Sequence, residues 1–141
     1  MRAEHIEGIA EIEKECFSSP WTYEGIEEEL GNPNAHFLTA LCGKPVGYIG
    51  AHEIAGEAYI ANIAVLPQYR RMGIGAMLLE KAVRGAQSRG CEFITLEVRR
   101  SNLGAIALYE KAGFEIAGER RGFYSDPPED ALIYTKTFNE R

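Results

Sequence analysis

The sequence is poor in the residues that staple or metallate a small fold. Its three cysteines, Cys16, Cys42 and Cys91, are odd in number and far apart, with no Cys-x-x-Cys pair, so neither a disulfide framework nor a zinc site is indicated. They read as small buried apolar residues of a reducing compartment. His5, His36 and His52 are equally scattered, no His-Glu-x-x-His spacing occurs, and no metal is expected. No apolar run approaches the ~20 residues of a membrane span, and the N-terminus has no signal-peptide core. A cytoplasmic protein without membrane contact is therefore expected. Positive charge is also scarce: the formal net charge is −6, against direct nucleic-acid binding, which needs clustered Lys and Arg. An acidic surface remains compatible with a basic protein partner.

What is present fits one domain over residues 1–141, 45% apolar with mixed charge. Ile6, Ile9, Ile12 and Cys16 recur at helical spacing, with Glu7, Glu11, Lys14 and Glu15 between them, which predicts a helix over 5–17. Ser18-Ser19-Pro20-Trp21 breaks it, and Thr22 can cap a second helix to Leu30. Trp21 is either a loop anchor on the core or a substrate contact. Strand-like runs follow at 35–41, 46–54 and 58–65, separated by short gaps that imply antiparallel hairpins. A helix over 74–89 presents Ile74, Met77, Leu78, Ala82 and Ala86 on one face and ends at Gly90. The strand at 93–98 must run parallel to the third, because a whole helix crosses over between them. Its alternation puts Glu97 on the face opposite Ile94, Leu96 and Val98. A helix at 105–111 and strands at 114–124 and 131–138 complete the order α-α-β-β-β-α-β-α-β-β. The expected class is α/β, a mixed sheet with helices on both faces.

Between the third strand and the third helix lies Val65-Leu66-Pro67-Gln68-Tyr69-Arg70-Arg71-Met72-Gly73-Ile74-Gly75-Ala76. The first N–H groups of a helix lack intrahelical partners, so such a turn can hold an anion. Gly73 and Gly75 would remove the Cβ atoms that keep phosphate oxygens from the backbone. The bland alternative is a glycine-bearing turn with two solvated arginines. A P-loop is excluded, since the sole Gly-Lys pair, Gly43-Lys44, is followed by Pro45. A Rossmann fingerprint fails on Leu78, where a third glycine belongs, and on the antiparallel strands ahead of the turn.

Arg70-Arg71-Met72-Gly73-Ile74-Gly75 resembles the Arg/Gln-x-x-Gly-x-Gly/Ala signature of the GCN5-related N-acetyltransferase (GNAT) superfamily. Ile63-Ala64-Val65 resembles that family's pantetheine-pairing strand. Leu96-Glu97-Val98-Arg99-Arg100-Ser101-Asn102 and Ala107-Leu108-Tyr109-Glu110-Lys111-Ala112-Gly113-Phe114 resemble its later motif. All three in this order cover nearly the whole chain. Ser19-Pro20-Trp21, the same Leu96 to Asn102 stretch, Ala105-Ile106-Ala107-Leu108-Tyr109 and the closing Arg120-Arg121-Gly122-Phe123-Tyr124 with Glu129-Asp130-Ala131 are similar to the RimI branch. That branch acetylates the N-terminal alanine of a small-subunit ribosomal protein.

The resemblance implies an acyl-CoA N-acyltransferase fold: an antiparallel meander and a splayed central parallel strand pair. It implies acetyl-CoA as cosubstrate, a ribosomal protein N-terminus as acceptor, and a monomer or weak dimer. By position it implies Glu97 as proton acceptor and Tyr109 as proton donor. Acetyl-CoA contacts would come from Ile63, Ala64, Val65, Arg70, Arg71, Met72, Gly73, Ile74, Gly75, Ala76, Asn102 and Tyr109. Trp21 and Tyr124 are candidate acceptor contacts. Proteins of that branch carry a strand before the first helix; only Met1-Arg2-Ala3-Glu4 precede it here, so either the chain is trimmed at its start or that edge of the sheet is incomplete.

The chemistry suits these residue types. Freeing an α-amino group, with a pKa of about 7.7 to 8.0, costs about 1.4 kcal/mol at pH 7, whereas a lysine at about 10.4 costs roughly 4.6 kcal/mol. One carboxylate, acting directly or through a water, is adequate for the first. A tyrosine near 10 can donate to a thiolate whose conjugate acid lies near 8.5. Direct attack without an enzyme-bound intermediate agrees with the absence of Cys-His or Ser-His pairing. Structural roles compete with each assignment. Glu97 could pair with Arg99 or Arg100, and Tyr109 could be a core-edge aromatic. Asn102 could be a helix N-cap, Arg120-Arg121 a solvated pair, and Glu129-Asp130 the start of a strand. Acetylation of a small amine or a lysine side chain, or acetyl-CoA sensing without turnover, are the alternative functions.

Overall fold

In the computed structural model, which describes residues 1–138, the expected element order is found. Helices α1 (Ile6–Cys16) and α2 (Tyr23–Leu30) precede strands β1 (Ala35–Leu41), β2 (Pro45–Ile54) and β3 (Glu57–Val65). Then come α3 (Ile74–Ser88), β4 (Phe93–Arg99), α4 (Leu103–Lys111), β5 (Glu115–Ser125) and β6 (Pro128–Thr137). Ahead of α1, residues Ala3–His5 form a 3₁₀ turn, and the Met1 amino group donates to the Phe37 carbonyl at 3.0 Å. Thr22 caps α2 as its sequence position suggests, its Oγ1 accepting from Gly25 N at 3.1 Å. Gly90, with φ +90°, follows the end of α3 in the left-handed conformation expected of a C′ glycine.

The strands form one sheet in the order β1-β2-β3-β4-β6-β5. Every pairing is antiparallel except β3 with β4. α1 and α2 cover one face, where Ile6, Ile9, Ile12 and Ile26 pack with Phe37, Val46 and Tyr48. α3 and α4 cover the other, where Leu78, Leu79, Ala82 and Val83 pack with Ile49, Ile60, Ile94 and Leu96. The buried stripe of α3 differs from the expected one: Leu79 and Val83 are buried, while Met77 is 49% exposed. A stripe rotated by one position points the helix at β2 and β4 and leaves Met77 beside the open turn. Of the cysteines only Cys91 is buried; Cys42 is exposed in the β1–β2 turn, where a short hairpin loop has no core to enter.

The feature that shapes the middle of the sheet is a break in β3. Gly50 pairs with Asn62 but Ala51 pairs with Ile60, so Ala61 is an extra residue, a β-bulge. Because side chains alternate with period two, one inserted residue exchanges the faces. Ala58 and Ile60 belong to the α3 side, whereas Ala64 belongs to the α1 side. The bulge also stops the parallel pairing. β3 and β4 are joined only at Glu57–Phe93, Ala58–Ile94 and Tyr59–Thr95, while β4 stays paired with β6 along its whole length. Beyond Tyr59 the β4-facing edge of β3 has no strand partner, and the two strands part.

A carboxylate that the sequence reading passed over holds this break. Glu13 is fully buried on α1. Its Oε2 accepts from the Tyr48 hydroxyl and, at 2.9 Å, from Asn62 Nδ2; its Oε1 accepts from Trp21 N at 2.8 Å. Helix, bulged strand and α1–α2 loop thus meet on one side chain. Spacing carried the signal, since Glu13 stands four residues after Ile9 and three before Cys16, on the buried stripe. An isolated buried carboxylate is strongly disfavoured and is tolerated here by three donors. Glu13→Ala leaves those donors unpaired and is expected to lower unfolding free energy by about 3 kcal/mol; urea unfolding measures it, and a loss below about 1 kcal/mol would show that the three bonds do not stabilise the fold.

Candidate active site

The site lies where β3 and β4 part, with the glycine turn at one end and the β5–β6 hairpin at the other. In the turn, Arg71 (φ +65°) and Gly73 (φ +81°) both take the left-handed conformation. Gly73 caps α3 with no side-chain cap, and the first intrahelical bond runs from Met77 N to Gly73 O at 3.0 Å. The N–H groups of Ile74, Gly75 and Ala76 therefore have no helical partner. A Cβ at Gly73 would meet nothing within 4 Å, so backbone conformation, and not crowding, demands glycine there, and its flank is open. A Cβ at Gly75 would lie in ordinary contact with Leu108 and Val65, 3.8 and 4.0 Å away. That corrects the expectation that both glycines clear space for phosphate: Gly75 faces the fold.

Arg70 turns inward. Its Nε donates to the Val65 carbonyl at 2.9 Å and its Nη2 lies 3.5 Å from Cys16 Sγ, so it ties the turn to the end of β3 and to α1. Arg71 and Met72 are exposed beside the free N–H groups. A pyrophosphate fits such a turn, with unpaired amides, an open flank and an exposed guanidinium. The unpaired edge of β3 at Ile63, Ala64 and Val65 leads from it toward the mouth between the strands. Asn102 caps α4, Oδ1 accepting from Ala105 N at 3.1 Å, which is the structural role weighed for it.

At the mouth stands Glu97. The Tyr59 hydroxyl donates to its Oε1, and Arg120 Nε donates to its Oε2 at 2.9 Å. The Glu97 side chain is only 10% exposed. It is not paired with Arg99 or Arg100: Arg99 bonds Glu129 at 3.2 Å and Arg100 bonds Glu119 at 2.5 Å. Arg120 is accordingly not a merely solvated cation. Tyr59 escaped the sequence reading, because only the parallel register, Tyr59 beside Thr95, places it on the face that carries Glu97.

Tyr109 sits on α4, 5% exposed, its ring 5.9 Å from that of Phe114. Burial, and secondarily the nearby Tyr124 phenol, pushes its pKa up to about 12. Burial raises Tyr59 too, reinforced by its hydrogen bond to Glu97. Tyr124 is raised first by burial and then by the Glu97 charge, so it neighbours both candidate catalytic groups. It is held there by Arg99, whose guanidinium lies 4.2 Å from the ring centre. Arg99 also donates to the Asp126 and Pro127 carbonyls at 2.9 Å each. Glu129 Oε2 accepts from Ser101 N at 2.6 Å, and Asp130 from Gly122 N at 2.8 Å; both acids brace the hairpin as well as lying in its strand. Trp21, by contrast, packs its ring 6.0 Å from Phe37 and lends its N–H to Glu13, the loop-anchor arrangement.

Residues 6–114 match the acetyltransferase (GNAT) family model. The chain belongs to the acetyltransferase (GNAT) family. A Bacillus subtilis protein named, provisionally, as a ribosomal protein bS18-alanine N-acetyltransferase is 41% identical over 142 residues, covering 99% of this chain and 94% of its own. The Escherichia coli ribosomal protein bS18-alanine N-acetyltransferase is 38% identical over 124 residues, 86% of this chain and 84% of its own. The crystal structure of the Escherichia coli ribosomal-protein-S18-alanine N-acetyltransferase superimposes with a TM-score of 0.90 at 31% identity, covering 100% of this chain and 92% of that one. The protein is thus an acetyl-CoA-dependent N-acetyltransferase of the RimI type, with acetyl-CoA as its cosubstrate. Among the described residues no cluster of metal ligands occurs, and no helix is long and apolar enough to cross a membrane.

Gly73→Ala is expected to cost about 1 kcal/mol of stability through its left-handed backbone, whereas Gly75→Ala should be neutral or slightly stabilising; a thermal-unfolding comparison decides, and equal losses would contradict the distinction drawn here. An ultraviolet pH titration should show a phenol ionising at about pH 12 that is missing in Tyr109→Phe. The folded value lies above the unfolded value of about 10, so this group's contribution to stability is complete below about pH 10 and falls as pH rises through 12.

Proposed function

We propose that the protein acetylates protein N-terminal amines, with the N-terminal alanine of ribosomal protein bS18 as the acceptor its relatives' names indicate. The observation that carries this reading is the low exposure of Glu97 at the parting of β3 and β4, bonded by Tyr59 and Arg120 and with Tyr124 near it. Ile63, Ala64 and Val65 offer backbone to the pantetheine arm. Arg71, Met72 and the amides of Gly73, Ile74, Gly75 and Ala76 take the pyrophosphate, while Arg70 acts by holding the turn on Val65. Asn102 supports the start of α4, which carries Tyr109.

Glu97 takes a proton from the acceptor ammonium, the freed lone pair attacks the thioester carbonyl, and the carbon–sulfur bond breaks. As the amide forms, the nitrogen sheds its second proton, which passes to the departing sulfur beside Tyr109 and gives the free thiol. Full transfer from a phenol at about 12 to a thiolate whose conjugate acid lies near 8.5 is uphill by about 3.5 units, roughly 5 kcal/mol. The apolar surroundings that raise Tyr109 also disfavour the thiolate, which narrows that gap. Tyr109 therefore stays protonated and ready, and first helps by hydrogen-bonding the sulfur. Acceptor residues pass between the α1–α2 loop and the β5–β6 hairpin, which approach each other where Ser18 Oγ lies 3.4 Å from the Asp126 carbonyl.

The test offers acetyl-CoA with three peptides: a free N-terminal alanine, a blocked N-terminus with a free lysine, and neither. Mass gain on the first alone is expected; gain only on the lysine peptide, or binding without turnover, would replace this reading by a lysine acetyltransferase or a sensor. Glu97→Gln should lower kcat by about 10²- to 10⁴-fold, and Tyr109→Phe should lower kcat with coenzyme A affinity nearly unchanged.

A further inference from the structure

Both oxygens of Glu97 are engaged, and one of the partners is a cation belonging to the chain itself. Arg120 Nε donates to Oε2 at 2.9 Å, and its side chain is 57% exposed against 10% for Glu97. Arg120 is thus the member of the pair on the solvent side. Little else holds it. Its guanidinium carbon is 6.0 Å from the Phe123 ring centre, at the outer limit of a cation–π contact, and among the described residues it has no second carboxylate. Arg99 and Arg100, its neighbours across the sheet, each have one of their own, Glu129 and Glu119. Arg120 is also the last paired residue before β5 leaves register. It faces Ala131, the next pair is Tyr124 with Glu129, and residues 121–123 form a bulge of β5 with Gly122 at φ +64° and its N–H on Asp130 at 2.8 Å. The chain there can let the arginine swing without breaking a ladder.

An acceptor amine with a pKa of about 7.7 to 8.0 arrives at neutral pH mainly as an ammonium ion. Like the guanidinium it is a cation that donates N–H to a carboxylate oxygen. Resting on the reading of Glu97 as the base, we propose that Arg120 occupies the acceptor's ammonium subsite, formed by Glu97 with the Tyr59 and Tyr124 phenols beside it, and is displaced when the acceptor binds. The exchange is cation for cation at Oε2, so the largely covered carboxylate keeps a counter-charge during the exchange. A proton then passes from nitrogen to Glu97, leaving a neutral carboxylic acid and a neutral amine whose lone pair attacks; the nitrogen's second proton leaves with the departing sulfur as the thiol. Once the acid has returned its proton to solvent, the carboxylate draws Arg120 back. The amide product is uncharged, cannot compete for that oxygen, and is expelled.

The partly exposed pair is a weak one, so its removal should give a modest gain. With saturating acetyl-CoA, Arg120→Ala and Arg120→Gln are expected to lower the KM of an alanine-terminated peptide about two- to fivefold. Guanidinium or methylammonium chloride should inhibit both variants competitively with the peptide, and the wild type much less. An unchanged or raised KM, or stimulation of the variants by guanidinium, would overturn the proposal, because it would make Arg120 a support for Glu97 and not a place-holder. A measurement on the unmutated chain guards against misfolded variants: the Arg120 Nε–H resonance should shift toward that of free arginine when peptide is added with unacetylated coenzyme A, and an unmoved resonance would also overturn it. Glu97→Gln separates the two claims. If it remains active, the base assignment fails; if it is inactive while Arg120→Ala leaves KM unchanged, only the place-holder fails.

Discussion

The structure depends on the early end of the pairing between β3 and β4. Three ladder positions join these strands, and after Tyr59 the bulge at Ala61 turns β3 away. An unpaired interior edge is ordinarily a liability, because its amides and carbonyls have lost their partners. Here it is maintained from below by Glu13, which binds Asn62 immediately after the bulge. The same carboxylate holds Tyr48 on β2 and the start of the α1–α2 loop at Trp21. One buried carboxylate therefore fixes both the end of β3 and the start of the α1–α2 loop. A hydrophobic side chain could fill that volume, but it could not hold three donors in register.

The second organising element is a set of arginine–carboxylate pairs around β4 and β5. Each arginine there has a separate task. Arg99 fastens the tip of the β5–β6 hairpin through the Asp126 and Pro127 carbonyls and Glu129, and lies over Tyr124. Arg100 pairs with Glu119 at the outer strand. Arg120 is left for Glu97. Because the fastening is done by Arg99, the hairpin can stay in place when Arg120 moves. Tyr59 and Tyr124, raised by burial and by the Glu97 charge, remain protonated across the neutral range. They surround the carboxylate with neutral donors that do not compete with an incoming cation.

One open cavity lies against Trp21, Thr22 and Gly25, at the start of α2. Another, of about 280 Å³, opens at the β1 edge beside His36, Glu53 and Arg89. Glu53 there is held below the usual carboxylate range, mainly by its bonds from Arg89 at 2.8 and 2.7 Å. This pair pins the end of α3 to β2 and serves the fold.

Much was legible in the chain because the signals are local. Periodicity, the Thr22 cap, the Gly90 stop and the short β-hairpin gaps set the elements to within a few residues, and a crossover helix forced β3 and β4 to be parallel. The motif order around Gly73, Glu97, Asn102 and Tyr109 carried the family. The bulge was not legible, since inserting Ala61 changes no local preference and shows only in the register with β2. Glu13 looked like another acid on an acidic helix, Tyr59 like a strand aromatic, and Arg120 like a solvated charge. The sequence by itself determined the fold class, the family and the glycine turn that opens α3. Only tertiary structure decided which groups surround Glu97 and what keeps the strands apart, because both depend on pairing between different strands, where register and not propensity chooses the neighbour.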